Sequence, residues 1–332
     1  MTLRLGLLAA SRIAKDAVVD PVDEVEDVEI VALAARDPGR GQRFAAQWGV
    51  GRACTYAELL AADDVDAVYI GTPAALHRRW TVAAVQAGKH VLVEKPLAAN
   101  AEDAAMMAAA ADASGLVVME AFHWRYHPLV GQMREILDTL GPIKRVEASF
   151  AVAAVHIPTT DIRYDLSLGG GSMMDIGVYP LGWVTWVFGE RPRVVSAEAH
   201  CDVPEVDSSM VVELEGPGGA TATVLSSMVA PGRDRPSSLI VRGERATMLV
   251  TNPLAPQFGS TLLVETPVGR TEHPVSRDAT YLHQLRAFRN AVVTGTPFPT
   301  TVTAGVEIMG LIDDSYRAAG LRPRPSLRDQ MG

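Results

Sequence analysis

Cysteine is nearly absent: Cys54 and Cys201 are the only two among 332 residues. They stand far apart, with no CxxC and no zinc-type Cys/His spacing around them, which excludes a disulfide framework and a zinc site of that kind. Aromatic residues make up 6% of the chain, and no basic, aromatic-interleaved patch of the kind that binds nucleic acid occurs. Basic residues are outnumbered, 30 Lys and Arg against 39 Asp and Glu, for a net charge of -9. That balance argues against nucleic acid or an anionic membrane surface as the main partner. No apolar run reaches the ~18 residues of a membrane span. The opening MTLRLGLLAAS lacks a charged n-region followed by a cleavage site. A cytoplasmic, reducing setting is the expectation.

The chain does contain material for a sizeable core, with 48% hydrophobic and 21% charged residues, and its length suits about two domains. Over the first 120 residues apolar strand-like runs (Leu3–Ala9, Val28–Ala35, Ala67–Ile70, His90–Val93, Leu116–Met119) alternate with helix-like runs (Arg12–Val19, Arg40–Trp48, Ala75–Ala87, Ala101–Ser114). Such alternation predicts a parallel, doubly wound sheet covered on both faces. From Ile143 the pattern changes to longer strands of alternating polarity, Lys144–Val155, Val194–Cys201, Ser208–Glu215, Ala220–Met228, Ser238–Arg242, Ala246–Thr251 and Thr261–Glu265. A large, mainly antiparallel open sheet follows, closed by helices over Tyr281–Val293 and Thr303–Ala319. The expected organisation is α/β plus α+β: a dinucleotide-binding domain over 1–122 and a substrate-binding, oligomerising domain over 123–332.

In an open α/β sheet, ligands sit at the carboxyl ends of the strands. The first such turn aligns Ala9, Ser11 and Ala14 with the G-x-G-x-x-G/A phosphate fingerprint, with Arg12 and Ile13 between them. The first two glycines are missing, so Ala9 must make the tight turn and the Ser11 hydroxyl approaches the pyrophosphate. The second strand ends in Ala34-Ala35-Arg36-Asp37, with Arg40 beyond. Ala35 stands where an acid would meet a free ribose 2′-hydroxyl, and a guanidinium suits a 2′-phosphate, so NADP is favoured over NAD. Asp37 either caps the next helix or faces the ribose. Gly71-Thr72-Pro73 ends the third strand, and His77 follows either as a ligand contact or as an ordinary helix residue. The next strand stops at Glu94-Lys95-Pro96, placing a lysine at the rim. In the second half Asp175 and Tyr179, four apart, share one face of an otherwise apolar helix. They either serve a ligand cleft, where a carboxylate and a phenol suit hydroxyl recognition and proton transfer, or bond internally.

Gly71-Thr72-Pro73, Ala87–Pro96, Met119-Glu120-Ala121 and Gly169-Gly170-Gly171 with Asp175-Ile176-Gly177, in this order and spacing, resemble the glucose–fructose oxidoreductase/inositol dehydrogenase family (Gfo/Idh/MocA). Ala34-Ala35-Arg36-Asp37, Met119-Glu120-Ala121 and Tyr179 are similar to its dimeric dihydrodiol dehydrogenase and NADP-linked sugar dehydrogenase branches. The chain departs from the family at Ala9 and Ser11, where glycines are usual, and at Ala74, where asparagine is. The resemblance implies a Rossmann domain and hydride transfer between nicotinamide and a secondary alcohol or ketone of a sugar, polyol or cyclic trans-diol. It implies Tyr179 as general acid/base, with Lys95 hydrogen-bonding the reacting oxygen and lowering a phenol that ordinarily titrates near ~10. Glu94 is expected to be a positioning residue, Asp175 to hold a neighbouring substrate hydroxyl, and Arg125 and His156 to be weaker pocket candidates. Partners are expected to be a small-molecule substrate and further copies of the chain, as a homodimer or homotetramer through the C-terminal sheet. Two other readings stay open: a nucleotide-sensing protein, given the altered glycine turn, and a glycosidase-like enzyme with a tightly held cofactor.

Overall fold

The computed structural model describes residues 2–153, 155, 157–231 and 235–327, with main chain alone at 235 and 236. A six-stranded sheet, all parallel, is built from β1 (Leu3–Leu8), β2 (Val28–Ala34), β3 (Ala53–Cys54), β4 (Ala67–Ile70), β5 (His90–Glu94) and β6 (Val118–Ala121) in the order β3-β2-β1-β4-β5-β6. The central strand β4 is buried along its whole length, and β1 and β5 nearly so, because helices cover both faces. The helices start where the chain supplies caps. The Asp37 carboxylate accepts from Arg40 N at 2.6 Å ahead of Pro38–Trp48, Thr55 and Glu58 form a capping box, and Asn100 caps Ala101–Ser114. Asp37 is therefore the cap among its two readings.

The eight-stranded sheet comprises β7 (Ile143–Ala153), β8 (Arg193–His200), β9 (Ser209–Glu215), β10 (Thr221–Ala230), β11 (Arg235–Gly243), β12 (Thr247–Thr251), β13 (Thr261–Thr266) and β14 (Gly269–His273), in the order β14-β13-β12-β11-β7-β10-β9-β8. Every pairing is antiparallel except β10 with β7. The apolar helix Val178–Phe188 packs on one face of it, against β7, β10 and β11.

Several features differ from the expectations, the short helix Tyr56–Ala61 among them. The first helix is π-helical over Lys15–Val19, a local widening that hydrophobic spacing does not reveal. The last parallel strand begins at Val118, two residues later than expected, because Val118 pairs with Val91. The two-residue β3 and the polar, exposed edge strand β14 carry no period-2 signal and were not anticipated.

The chain also divides discontinuously. Residues up to Tyr126 form one compact unit with Tyr281–Val306, and His127–Thr280 form the other with Glu307–Leu327. A single boundary at 122/123 misses the returning segment, whose physical reason lies at the sheet edge. β6 is an edge strand with unpaired backbone groups. Glu120 N donates to Thr300 O at 3.0 Å, Thr300 Oγ1 donates to Glu120 O at 2.8 Å, and Met119 bridges Thr301.

Ala9 makes the first turn at φ 105°, a region L side chains rarely adopt. Ala9→Gly is expected to stabilise the protein by about 1 kcal/mol by removing this strain. A thermal melt with an unchanged or lowered Tm would count against that strain.

Candidate active site

The turns after β1, β2, β4 and β5 all leave the same edge of the parallel sheet, around the switch point between β1 and β4 where the helices depart in opposite senses. Gly71 N donates to Leu8 O at 3.1 Å and Ala9 N to Ala34 O at 3.1 Å, which knits the turns together. Two buried hydroxyls in them, Ser11 Oγ and Thr72 Oγ1, have no hydrogen-bond partner among the described residues. A buried hydroxyl without a partner is costly. Gly71 keeps clear a space against Ser11 that a Cβ would fill. These residues fit a nucleotide whose phosphates or hydroxyls complete the two side chains. Arg12 is exposed beside them and Ile13 is half-buried.

Arg36 is exposed at the end of β2 and makes no ion pair among the described residues. Arg40, expected to face the cofactor, instead turns back on the fingerprint turn. Its Nε and Nη2 donate to Ala10 O at 3.0 and 2.8 Å, and its guanidinium lies over the Phe44 ring at 4.9 Å. It holds the turn's shape. Tyr56, which the sequence did not single out, lies near that strand end: burial raises its phenol pKa, and the Arg36 backbone and charge act against this.

His77 corrects an expectation more sharply. It is 1% exposed, with Nε2 2.7 Å from Thr72 O and Nδ1 3.0 Å from Pro96 O. Burial holds its pKa below the ordinary value, so the ring is neutral and its proton goes to one of the two carbonyls. A neutral ring carries one N–H, so one of the two carbonyls receives its hydrogen bond while the ring lies between both. It braces the turn after β4 against the turn after β5.

That second turn carries Lys95, half-buried, joined to Pro96 by a cis peptide bond. Around it lie buried titratable groups. Glu94 accepts from Tyr69 Oη at 2.8 Å and from Lys95 N at 3.2 Å. Glu120 is 3% exposed, and burial together with the Glu94 charge pushes its carboxyl up to about 8, against hydrogen bonding from Leu97 N and the Lys95 charge. Burial drives His123 down to about 3, and the Lys95 charge adds to this. Its ring packs on Tyr281 at 4.1 Å. Arg125, half-buried in the 3₁₀ turn His123–Tyr126, lies over the Trp124 ring at 5.3 Å.

In the other unit, Asp175 lies in a π-helical turn, Met173–Gly177, that leads into Val178–Phe188. Tyr179, 4% exposed, lies in the first turn of that helix, its ring 6.1 Å from Phe150. Asp175 was expected to be open to a substrate hydroxyl. One of its oxygens already accepts from Arg163 Nε at 2.7 Å, and Arg163 also bonds Asp161 at 3.0 Å. The ion pair raises the Arg163 pKa, chiefly through the Asp175 charge. Arg163 carried no spacing signal, being brought in by an irregular segment. His156 lies outside the described residues. Among the described residues no three His, Cys, Asp or Glu side chains are grouped to hold a metal ion, and no helix is long and apolar enough to cross a membrane.

A six-stranded parallel sheet whose switch-point turns carry unpartnered hydroxyls among the described residues has the architecture of the doubly wound, dinucleotide-binding class. The chain belongs to the Gfo/Idh/MocA family: residues 3–122 match the oxidoreductase family with an NAD-binding Rossmann fold, and residues 130–249 match the GFO/IDH/MocA C-terminal domain. It is 32% identical to D-xylose 1-dehydrogenase (NADP(+)) 2 of Haloferax volcanii, over 96% of this chain and 97% of that one. It is 34% identical to trans-1,2-dihydrobenzene-1,2-diol dehydrogenase of Xenopus tropicalis, over 69% and 70%. Among solved structures it is similar to a 3-ketoreductase from Actinomadura kijaniata in complex with NADP and TDP-benzene, with TM-score 0.88, 28% identity and coverage of 97% and 98%. That enzyme was also solved with one tyrosine replaced by phenylalanine and with one lysine replaced by alanine or glutamate.

Glu120 supplies a pH test. Its pKa lies above the unfolded value, so the folded state holds a proton that the unfolded chain releases as pH rises from about 4.5 to about 8, and stability is lost across that window. Glu120→Gln is expected to raise Tm at pH 8 and leave it unchanged at pH 4. Equal shifts at both pH values would contradict a protonated Glu120.

Proposed function

We propose that the protein is an NADP-dependent dehydrogenase or ketoreductase acting on a secondary alcohol or ketone of a sugar, polyol or cyclic trans-diol. The bound nicotinamide supplies or accepts the hydride. The observation that carries this reading is the cradle of unpartnered Ser11 and Thr72 hydroxyls at the rim where Lys95 leaves β5. Arg36, whose guanidinium makes no ion pair among the described residues, suits a ribose 2′-phosphate. Relatives named as acting on a pentose, a dihydrodiol and a 3-keto group support the substrate class. The lysine and tyrosine replaced in the A. kijaniata enzyme are the same number of residues apart as Lys95 and Tyr179, which supports their pairing in one role.

In this reading Tyr179 Oη holds the proton that passes to or from the substrate oxygen. Lys95 Nζ donates a hydrogen bond to that oxygen, and its charge favours the phenolate. Glu94 fixes the Lys95 main chain, and Asp175, oriented by Arg163, accepts from a neighbouring substrate hydroxyl. The open face of the eight-stranded sheet suits a second copy of the chain. Ile240, Leu249 and Leu263, paired side by side across β11, β12 and β13, are only partly covered on that face. Light scattering is expected to give a homodimer or homotetramer, and a monomer would remove that part of the proposal.

Lys95→Ala and Tyr179→Phe are each expected to lower kcat by roughly 10²-fold or more, the usual contribution of a proton-transfer group. The assay is NADP-linked oxidation across a panel of D-xylose, hexoses, inositols and trans-dihydrodiols. Wild-type turnover in either variant would defeat its assigned role. Arg36→Ala is expected to raise KM for NADP about tenfold, the scale of a lost charge-assisted hydrogen bond. An equal rise for NAD would refute the phosphate contact.

A further inference from the structure

Gly171 stands in the glycine triplet ahead of the helix bearing Tyr179, at φ 134°. A Cβ there would strike Asp207 Oδ1, Arg324 Nη2 and Tyr316 Oη together. The glycine therefore makes room for a fully buried ion pair. Arg324 Nη2 donates to Asp207 Oδ1 at 2.5 Å, and both side chains are 0% exposed. Tyr316 Oη donates to the same oxygen at 3.0 Å, and the Arg324 guanidinium lies over the Tyr316 ring at 3.9 Å.

The other oxygen of Asp207 faces the helix. Oδ2 accepts from Met173 N at 2.7 Å and from Ser172 Oγ at 2.8 Å, and Ser172 N donates to Asp207 O at 2.7 Å. These are the amides a helix cannot satisfy itself, and here a carboxylate 34 residues later in the chain satisfies them. The negative charge also suits that helix end. Arg324 spends its remaining donors on main chain, with Nε to Gly170 O at 2.5 Å and Nη1 to Glu205 O at 3.0 Å. Nearby, Arg322 pairs with Glu205 at 2.7 Å. One C-terminal arginine thus ties the glycine turn, the segment before β9 and the capping carboxylate into a single unit.

We propose that Arg324 is a positioning residue for Tyr179: through Asp207 it fixes the first turn of the helix that presents the phenol. The inference rests on the acid/base reading of Tyr179 and assigns to the C-terminal segment a part in turnover. Outright loss of the arginine would leave the Asp207 charge buried and unpaired, so milder variants serve. Arg324→Lys keeps the charge but loses the fork, and Tyr316→Phe removes one bond to Asp207.

Hydrogen exchange followed by mass spectrometry, with kcat and the NADPH dissociation constant, tests this in the full chain. In both variants the amides of 171–179 are expected to exchange at least about tenfold faster, a local opening distinct from global unfolding. Amides of Val91–Glu94 keep their protection. The kcat is expected to fall about tenfold, equivalent to ~1.4 kcal/mol of barrier, while the NADPH dissociation constant stays within about twofold. Unchanged exchange at 171–179, or unchanged kcat alongside an inactive Tyr179→Phe, overturns the positioning role alone. Full turnover in Tyr179→Phe overturns the acid/base reading and the inference with it.

Discussion

Strands that all run one way must deliver their following turns to one edge, and in this chain that constraint gathers the turns after β1, β2, β4 and β5 at a single rim. Everything proposed for cofactor binding depends on how that rim is held. Ala9 accepts an unfavourable backbone to turn there, Arg40 clamps the Ala10 carbonyl, and His77 spans the carbonyls of Thr72 and Pro96. The side chains that brace the rim are directed at main-chain carbonyls, whereas Ser11 and Thr72 keep hydroxyls without partners among the described residues.

Buried charge is handled differently in the two units. Around Lys95 the acids are buried, and Glu120 meets the cost by holding its proton. In the other unit Asp207 is paired with Arg324 and saturated by Ser172, Met173 and Tyr316, so no lone pair of consequence is wasted. Both solutions lie next to residues assigned to chemistry, where a displaced carboxylate would be felt first.

Much of this was legible from the residues. Alternating runs announced the parallel sheet, because a buried strand is apolar throughout, and Glu94-Lys95-Pro96 and Gly71-Thr72-Pro73 marked its rim. The long alternating strands announced the second sheet. What the sequence withheld was long-range. Nothing near Glu120 says that Thr300 will seal its strand edge, nothing near Asp175 names Arg163, and Arg324 lies 117 residues from Asp207. Arg40 and His77 looked like ligand contacts because their positions were right. The directions of their side chains, set by Ala10, Thr72 and Pro96, show them supporting the turns. The glycine triplet was recognised as a motif, and its reason emerges from the ion pair packed against Gly171.

The central claim is that the chain moves hydride between a nicotinamide nucleotide and a carbohydrate-type carbinol centre. The most direct measurement is to incubate the protein with C4-deuterated NADPH and a panel of keto sugars, and to examine the recovered sugars by mass spectrometry and proton NMR. The account predicts one deuterium, placed on a newly formed secondary carbinol carbon with one hand of stereochemistry. Tight retention of the labelled nucleotide with no label in any sugar would contradict it and point to a sensing protein.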